Sequence, residues 1–258
     1  MALELGGMMA YRVSIVLLAL TLAACGARPA AIAGVTSPTP AVASSSPSPE
    51  PSPRPTERVL DINIHYQEHN LSCEAAALKM ALSYEGINVD EMTLIGYMTR
   101  DPRPARFDSQ RHLVTWGNPA QGFVGDPNGN LQRYTGYGVY DEPVAFAAIQ
   151  AGANVIDAGS GLYGAPVPAS EVYDAVLDGH PVVAWISNTY RTVKLSQYTA
   201  YDGSTVWYTL TEHAVTVIGV KADAVLINDP WFGQHWHSKA QFEAAYATFQ
   251  QMAVIISS

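Results

Sequence analysis

Apolar residues recur at helical spacing through CEAAALKMALSYEG, from Cys73 to Gly86. Ser72 stands where an N-cap belongs and Gly86 where a helix stops. The same periodicity predicts helices over 90–98, over 143–151 with Pro143 near the start, and over 170–178 with Ser170 as cap and Gly179 past the end. A further helix over 239–248 opens on Ser238-Lys239-Ala240-Gln241, the spacing of a capping box. Short apolar and alternating runs predict strands at 153–157, 181–187, 205–210, 213–220, 224–228 and 252–257. Helices dominate early, strands dominate late, and the connections between the late strands are short. The pattern is that of an α+β domain, a helical part packed on an antiparallel sheet.

Two long segments lack this periodicity. From Arg100 to Val139 the chain is rich in Gly, Pro, Asp and Asn and carries Trp116, Phe123, Tyr134 and Tyr137, so it reads as a long loop, functional or mobile. Within it Asp126-Pro127-Asn128-Gly129-Asn130 has its glycine too early for a calcium loop and reads as a turn. The second segment, 26–56, is built of Ala, Ser, Thr and Pro and ends in SPSPEPSPRPT. Such a tract makes a disordered or polyproline stalk, which at about 3.1 Å per residue reaches on the order of 90 Å.

Ahead of the stalk, Val13–Ala24 is an apolar run of signal-peptide length behind Arg12, closing on Leu22-Ala23-Ala24-Cys25. That ending resembles the lipobox of bacterial lipoproteins. It implies cleavage before Cys25, a lipid on its sulfur, and a mature chain held at the extracytoplasmic face of the cell membrane. The expected domains are therefore a signal over 1–25, a stalk over 26–56 and one globular domain over 57–258. The net charge of −9 becomes about −10 on that domain, which repels phosphate backbones and argues against a nucleic-acid partner. The chain has two cysteines, and lipidation at Cys25 leaves Cys73 without a disulfide partner.

An unpaired cysteine at the first turn of a helix meets free backbone N–H groups and the positive end of the helix dipole, which favour the thiolate. A thiol nucleophile also needs an imidazole, and the imidazole needs a group to hold its tautomer. His213 opens the strand AVTVIGV, and after a turn through Lys221-Ala222-Asp223 the strand AVLIN ends at Asp229. Antiparallel pairing puts the start of the first beside the end of the second, making His213 and Asp229 neighbours. Asn228 is the alternative orienter, since an amide serves that role in papain. Gln67, six residues before Cys73, is placed to donate to an oxyanion.

Gln67, Cys73 at a helix start, His213 leading a strand and Asn228-Asp229-Pro230 closing the next together resemble the peptidase C39-like family of papain-fold cysteine peptidases. Gly136-Tyr137-Gly138-Val139-Tyr140 and Gly179-His180-Pro181-Val182-Val183 extend the resemblance across roughly 60–258. It implies a papain-like fold and a thiol hydrolase with Cys73 as nucleophile, His213 as base and acid, Asp229 as orienter and Gln67 as oxyanion donor. A peptide or protein is the implied substrate, with no cofactor. Many members carry Cys-Gly-Pro at the nucleophile, whereas here Glu74 follows Cys73; neighbours on a helix point about 100° apart, so no severe repulsion of the thiolate is expected. An acyl transferase on the same site and a non-catalytic peptide- or cell-wall-binding domain are the alternatives. His65, His69, His112 and His180 read as surface or turn residues, and the His235–His237 pair lacks a third ligand, so no metal is expected.

Overall fold

The computed structural model describes residues 54–258; the signal, Cys25 and nearly all of the expected stalk lie outside them. The core of the fold is a seven-stranded sheet. Its strands run in the order Gly233–Ser238, Ala224–Asp229, Glu212–Val220, Val182–Ser187, Ala253–Ser257, Asn154–Gly159, and Arg58–Val59 adds to the far end of Glu212–Val220. Every pairing in this sheet is antiparallel.

The sheet is central because its middle strands are apolar on both faces. Val182–Ser187 is buried at every position, with Val183 and Trp185 turned to one side and Val182, Ala184 and Ile186 to the other. Such a strand needs cover on both sides. The helices Cys73–Tyr84 and Asp141–Gln150 supply one layer, and Ala169–Asp178 and Lys239–Tyr246 supply the other. The expected helical part is thus divided between the two faces. Leu78 and Leu82, one turn apart and fully buried, fix Cys73–Tyr84 on its layer, each contributing roughly 1.5–3 kcal/mol through burial. Ala75, Ala76, Ala77 and Ala81 on the same helix allow close approach, and Thr216 Oγ1 donates to Ala77 O at 2.9 Å.

Two departures from the expected elements have local causes. The helix expected from Ser170 begins after Pro168, which with φ −58° and ψ 148° forms the N-cap; Pro166 and Pro168 hold the chain extended until that point, and Ser170 caps nothing. The stretch 100–139 is no open loop. It carries short strands at Arg100–Asp101, Arg106–Phe107, Leu113–Trp116, Phe123–Gly125 and Gly136–Gly138. These join two small sheets, one of them completed by Ser196–Ala200 and Thr205–Tyr208. Strands of two to four residues are too short to show a period. What holds them is aromatic packing: Trp116, Tyr134, Tyr137 and Tyr140 form a chain of edge and tilted contacts at 5.8–6.0 Å between centroids.

Candidate active site

Cys73 is the first residue of its helix, with Ser72 as N-cap. The hydroxyl of Ser72 does not cap; it donates to the carboxylate of Glu91, a fully buried residue. Glu91 also accepts from the N–H of Glu68 at 2.9 Å and bonds His65 Nε2 at 2.7 Å. One buried carboxylate thereby ties down the segment 65–72 that carries Gln67. The turn at 126–130 braces the same segment from the other side. Leu71 N donates to Pro127 O at 2.9 Å, Asn70 Nδ2 to Asn128 O at 2.9 Å, and His69 Nδ1 meets Asn128 Oδ1 at 3.0 Å. His65 and His69 are therefore parts of the scaffold around the start of the Cys73 helix rather than surface bystanders.

His213 and Asp229 meet as the antiparallel pairing requires. His213 Nε2 donates to Asp229 Oδ1 at 2.8 Å, and both side chains are almost wholly buried. The backbone N–H groups of Trp231 and Phe232 also donate to Asp229 Oδ1, at 2.8 and 3.1 Å, and Tyr190 OH donates to Oδ2 at 3.3 Å. Desolvation pushes the Asp229 carboxyl up, but the bond to His213, its charge and the two N–H groups outweigh that, and the group titrates below the usual carboxylate range. Asn228 is occupied elsewhere: its Nδ2 donates to Ile62 O at 3.0 Å and its Oδ1 accepts from Gln234 at 2.9 Å. Asp229, not Asn228, is bonded to the imidazole. Trp231 lies beside the pair, its ring 6.0 Å from that of His213.

Cys73, His213 and Gln67 line one cleft of about 320 Å³, together with Tyr137, Glu212 and Trp231. Gln67 reaches it with one amide hydrogen already used, Nε2 donating to His69 O at 2.7 Å, while its Oε1 is buried without a partner among the described residues. An orphaned buried acceptor costs on the order of 1–3 kcal/mol, a strain commonly found where a group serves binding rather than stability.

The state of Cys73 differs from expectation. Glu74 does not point away: its carboxylate reaches back, and the thiol donates to Glu74 Oε2 at 3.4 Å. Glu74 Oε1 accepts from Val139 N at 2.6 Å over Gly138, where a Cβ would fall 2.0 Å from that oxygen at a φ of +124°. Glycine at 138 is what admits the carboxylate. Burial, then the charges of Glu74 and Glu212, push the Cys73 thiol well up, and a backbone hydrogen bond from Ala214 opposes them only in part. Burial also raises Glu74 to about 7 and raises Glu212 strongly.

Sequence reasoning missed Glu91 and Glu212. Glu91 follows the N-cap Asp90, where an acid ordinarily complements the helix dipole in solvent. Glu212 starts a strand at a position indistinguishable from a solvated end. The other histidines behave as expected or find stacking partners: His112 is exposed beside Asp108, and His237 stacks on Tyr190 at 4.0 Å.

A helix-borne cysteine packed against an antiparallel sheet that presents a bonded histidine and aspartate is the arrangement of the papain-like cysteine peptidase fold. Residues 59–254 match the Peptidase_C39 like family, and the chain belongs to that family. It is 30% identical over 186 residues to the uncharacterized protein YvpB of Bacillus subtilis, covering 71% of this chain and 68% of that one. The crystal structure of a Bacillus anthracis protein assigned to the C39-like peptidases superimposes with a TM-score of 0.63 at 26% identity, over 78% of this chain and 98% of that one. The peptidase domain of Streptococcus ComA is a looser likeness, with a TM-score of 0.44 at 13% identity over 76% of this chain and 98% of that one.

Proposed function

We propose that this protein is a cysteine peptidase or amidase, lipid-anchored through Cys25 and acting at the extracytoplasmic face on peptide or protein substrates. The observation that carries the catalytic reading is the buried His213–Asp229 bond facing the cleft that Cys73 lines. With Nε2 held by Asp229, Nδ1 of His213 is the nitrogen left to exchange a proton with sulfur. Cys73 gives its proton to His213, attacks the carbonyl and forms a tetrahedral intermediate. The imidazolium then protonates the leaving amine, and water activated by the same ring releases the acid from the thioester. The N–H of Cys73, first in its helix and without an intrahelical acceptor, and the second amide hydrogen of Gln67 are the oxyanion donors.

In the resting arrangement the thiol proton is on the Glu74 side, so turnover requires the sulfur to leave that contact for His213. That same contact favours a second reading, a binding domain that has retained these residues without turnover. Incubating the full chain with a peptide library, with and without an added amine, and weighing the products separates the readings. Hydrolysed fragments support the peptidase, amine adducts an acyl transferase, and unchanged peptides the binding domain. Anchoring rests on Val13–Cys25 alone. It predicts a mature N-terminal peptide starting at acylated Cys25, and a Cys25→Ala chain no longer held at the membrane; an unacylated N-terminus elsewhere refutes it.

A further inference from the structure

The cluster around the thiol has a property the peptidase chemistry does not use. The sulfur of Cys73, one carboxylate oxygen of Glu74 and one of Glu212 all lie within 4.8 Å of one another, and all three residues are buried. Glu212 is only 6% exposed, its side chain makes no hydrogen bond to any described residue, and its Oε1 is buried with no partner. The charged group it faces is another carboxylate, Glu74. Carboxylates in such a setting are ordinarily paired, hydrogen-bonded or bound to metal.

We infer that Cys73, Glu74 and Glu212 form a binding site for a thiophilic divalent cation of the zinc class, entered through the cleft. The donor set is a thiolate and two carboxylates, within the zinc repertoire and too soft for calcium or magnesium. Spacing agrees. Bonds of about 2.3 Å to sulfur and 2.0–2.2 Å to oxygen put tetrahedral ligands roughly 3.6 Å apart, and Cys73 Sγ to Glu74 Oε2 is 3.4 Å. Three protein ligands leave a fourth position on the cleft side for water. His213 is not one of the three, since neither of its ring nitrogens belongs to this cluster of mutually close ligand atoms. Binding replaces the thiol proton, and any carboxyl protons present, with the cation, and the protons pass to solvent.

A cation on the sulfur occupies the lone pair that attacks substrate, so zinc is a reversible inhibitor of the enzyme. That consequence rests on Cys73 being the nucleophile; the binding does not. The test uses the full chain with Cys25→Ser, which leaves Cys73 as the sole thiol. Adding Co²⁺ should give a one-equivalent thiolate-to-cobalt charge-transfer band that Zn²⁺ displaces and Cys73→Ser abolishes. Stoichiometric Zn²⁺ should also slow alkylation of Cys73 by iodoacetamide at least tenfold, reversed by chelator. Glu212→Gln should weaken Co²⁺ binding at least tenfold, with circular dichroism confirming its fold. Absence of the band, unprotected alkylation in the parent protein, or undiminished affinity in folded Glu212→Gln each overturns the site. A parent protein that binds Co²⁺ and Zn²⁺ but cleaves no peptide leaves the site standing and defeats only the peptidase reading.

Discussion

Glu74→Gln should make Cys73 more reactive, and the size and pH dependence of the gain follow from the geometry. The amide keeps an oxygen for the N–H of Val139 and puts an NH₂ where Glu74 Oε2 accepts the thiol proton, so the change is nearly isosteric. It removes a negative charge 3.4 Å from the sulfur. At an effective dielectric constant of 20 that repulsion is about 5 kcal/mol, and cleft water reduces it further. Even a residual of about 1.4 kcal/mol is a tenfold change in the thiolate population. The penalty exists only while Glu74 is ionised, and its carboxyl titrates near 7. The rate ratio of variant to parent should therefore exceed ten at pH 8 and shrink toward one as pH falls through 7 to 6. The assay is iodoacetamide alkylation of the full chain carrying Cys25→Ser, with chelator present, from pH 6 to 8. A ratio near one at every pH, or a slower variant, would refute the reasoning that Glu74 holds the thiol protonated.

The same carboxyl has a stability signature. Because the folded state raises Glu74 above its unfolded value of 4.5, that state binds the proton more tightly between 4.5 and about 7, and stability falls as pH rises through this window. Urea titrations should show Glu74→Gln losing part of that slope, at most about 1.4 kcal/mol per pH unit per proton. Glu91→Ala should cost about 1–3 kcal/mol for each donor it orphans, the Glu68 N–H and the Ser72 hydroxyl, read from the urea midpoint; an unchanged midpoint would show that the segment 65–72 is held by other means. Gln67→Ala should lower kcat about 10²–10³-fold while leaving alkylation of Cys73 unchanged, since alkylation builds no oxyanion. Loss of alkylation would make Gln67 a support of the helix instead.

The elements with long apolar periods were readable from the chain alone: the helix Cys73–Tyr84, and the strands Glu212–Val220 and Ala224–Asp229 whose pairing brings His213 to Asp229. Their turn is short enough that topology follows from sequence order. What escaped has two physical origins. Strands of two to four residues in 100–139 owe their existence to aromatic contacts across distant parts of the chain, such as Tyr137 with Tyr208 at 6.4 Å between centroids. The burial of Glu74, Glu91 and Glu212 is tertiary as well, because each stands at an element's start, where local rules place acids in water. Cys73 was located by its helix, while the upward push on its thiol comes first from burial and then from two carboxylates, one brought in by another segment and one bent back over Gly138.

The most direct test of the central claim is mass spectrometry of a peptide library incubated with the full chain, alongside Cys73→Ala, His213→Ala and the double variant. Residues acting as one catalytic unit give non-additive losses. The account predicts cleavage by the parent protein, none above background in either single variant, and a double variant no worse than either. Cleavage by Cys73→Ala at the parent's rate would contradict it.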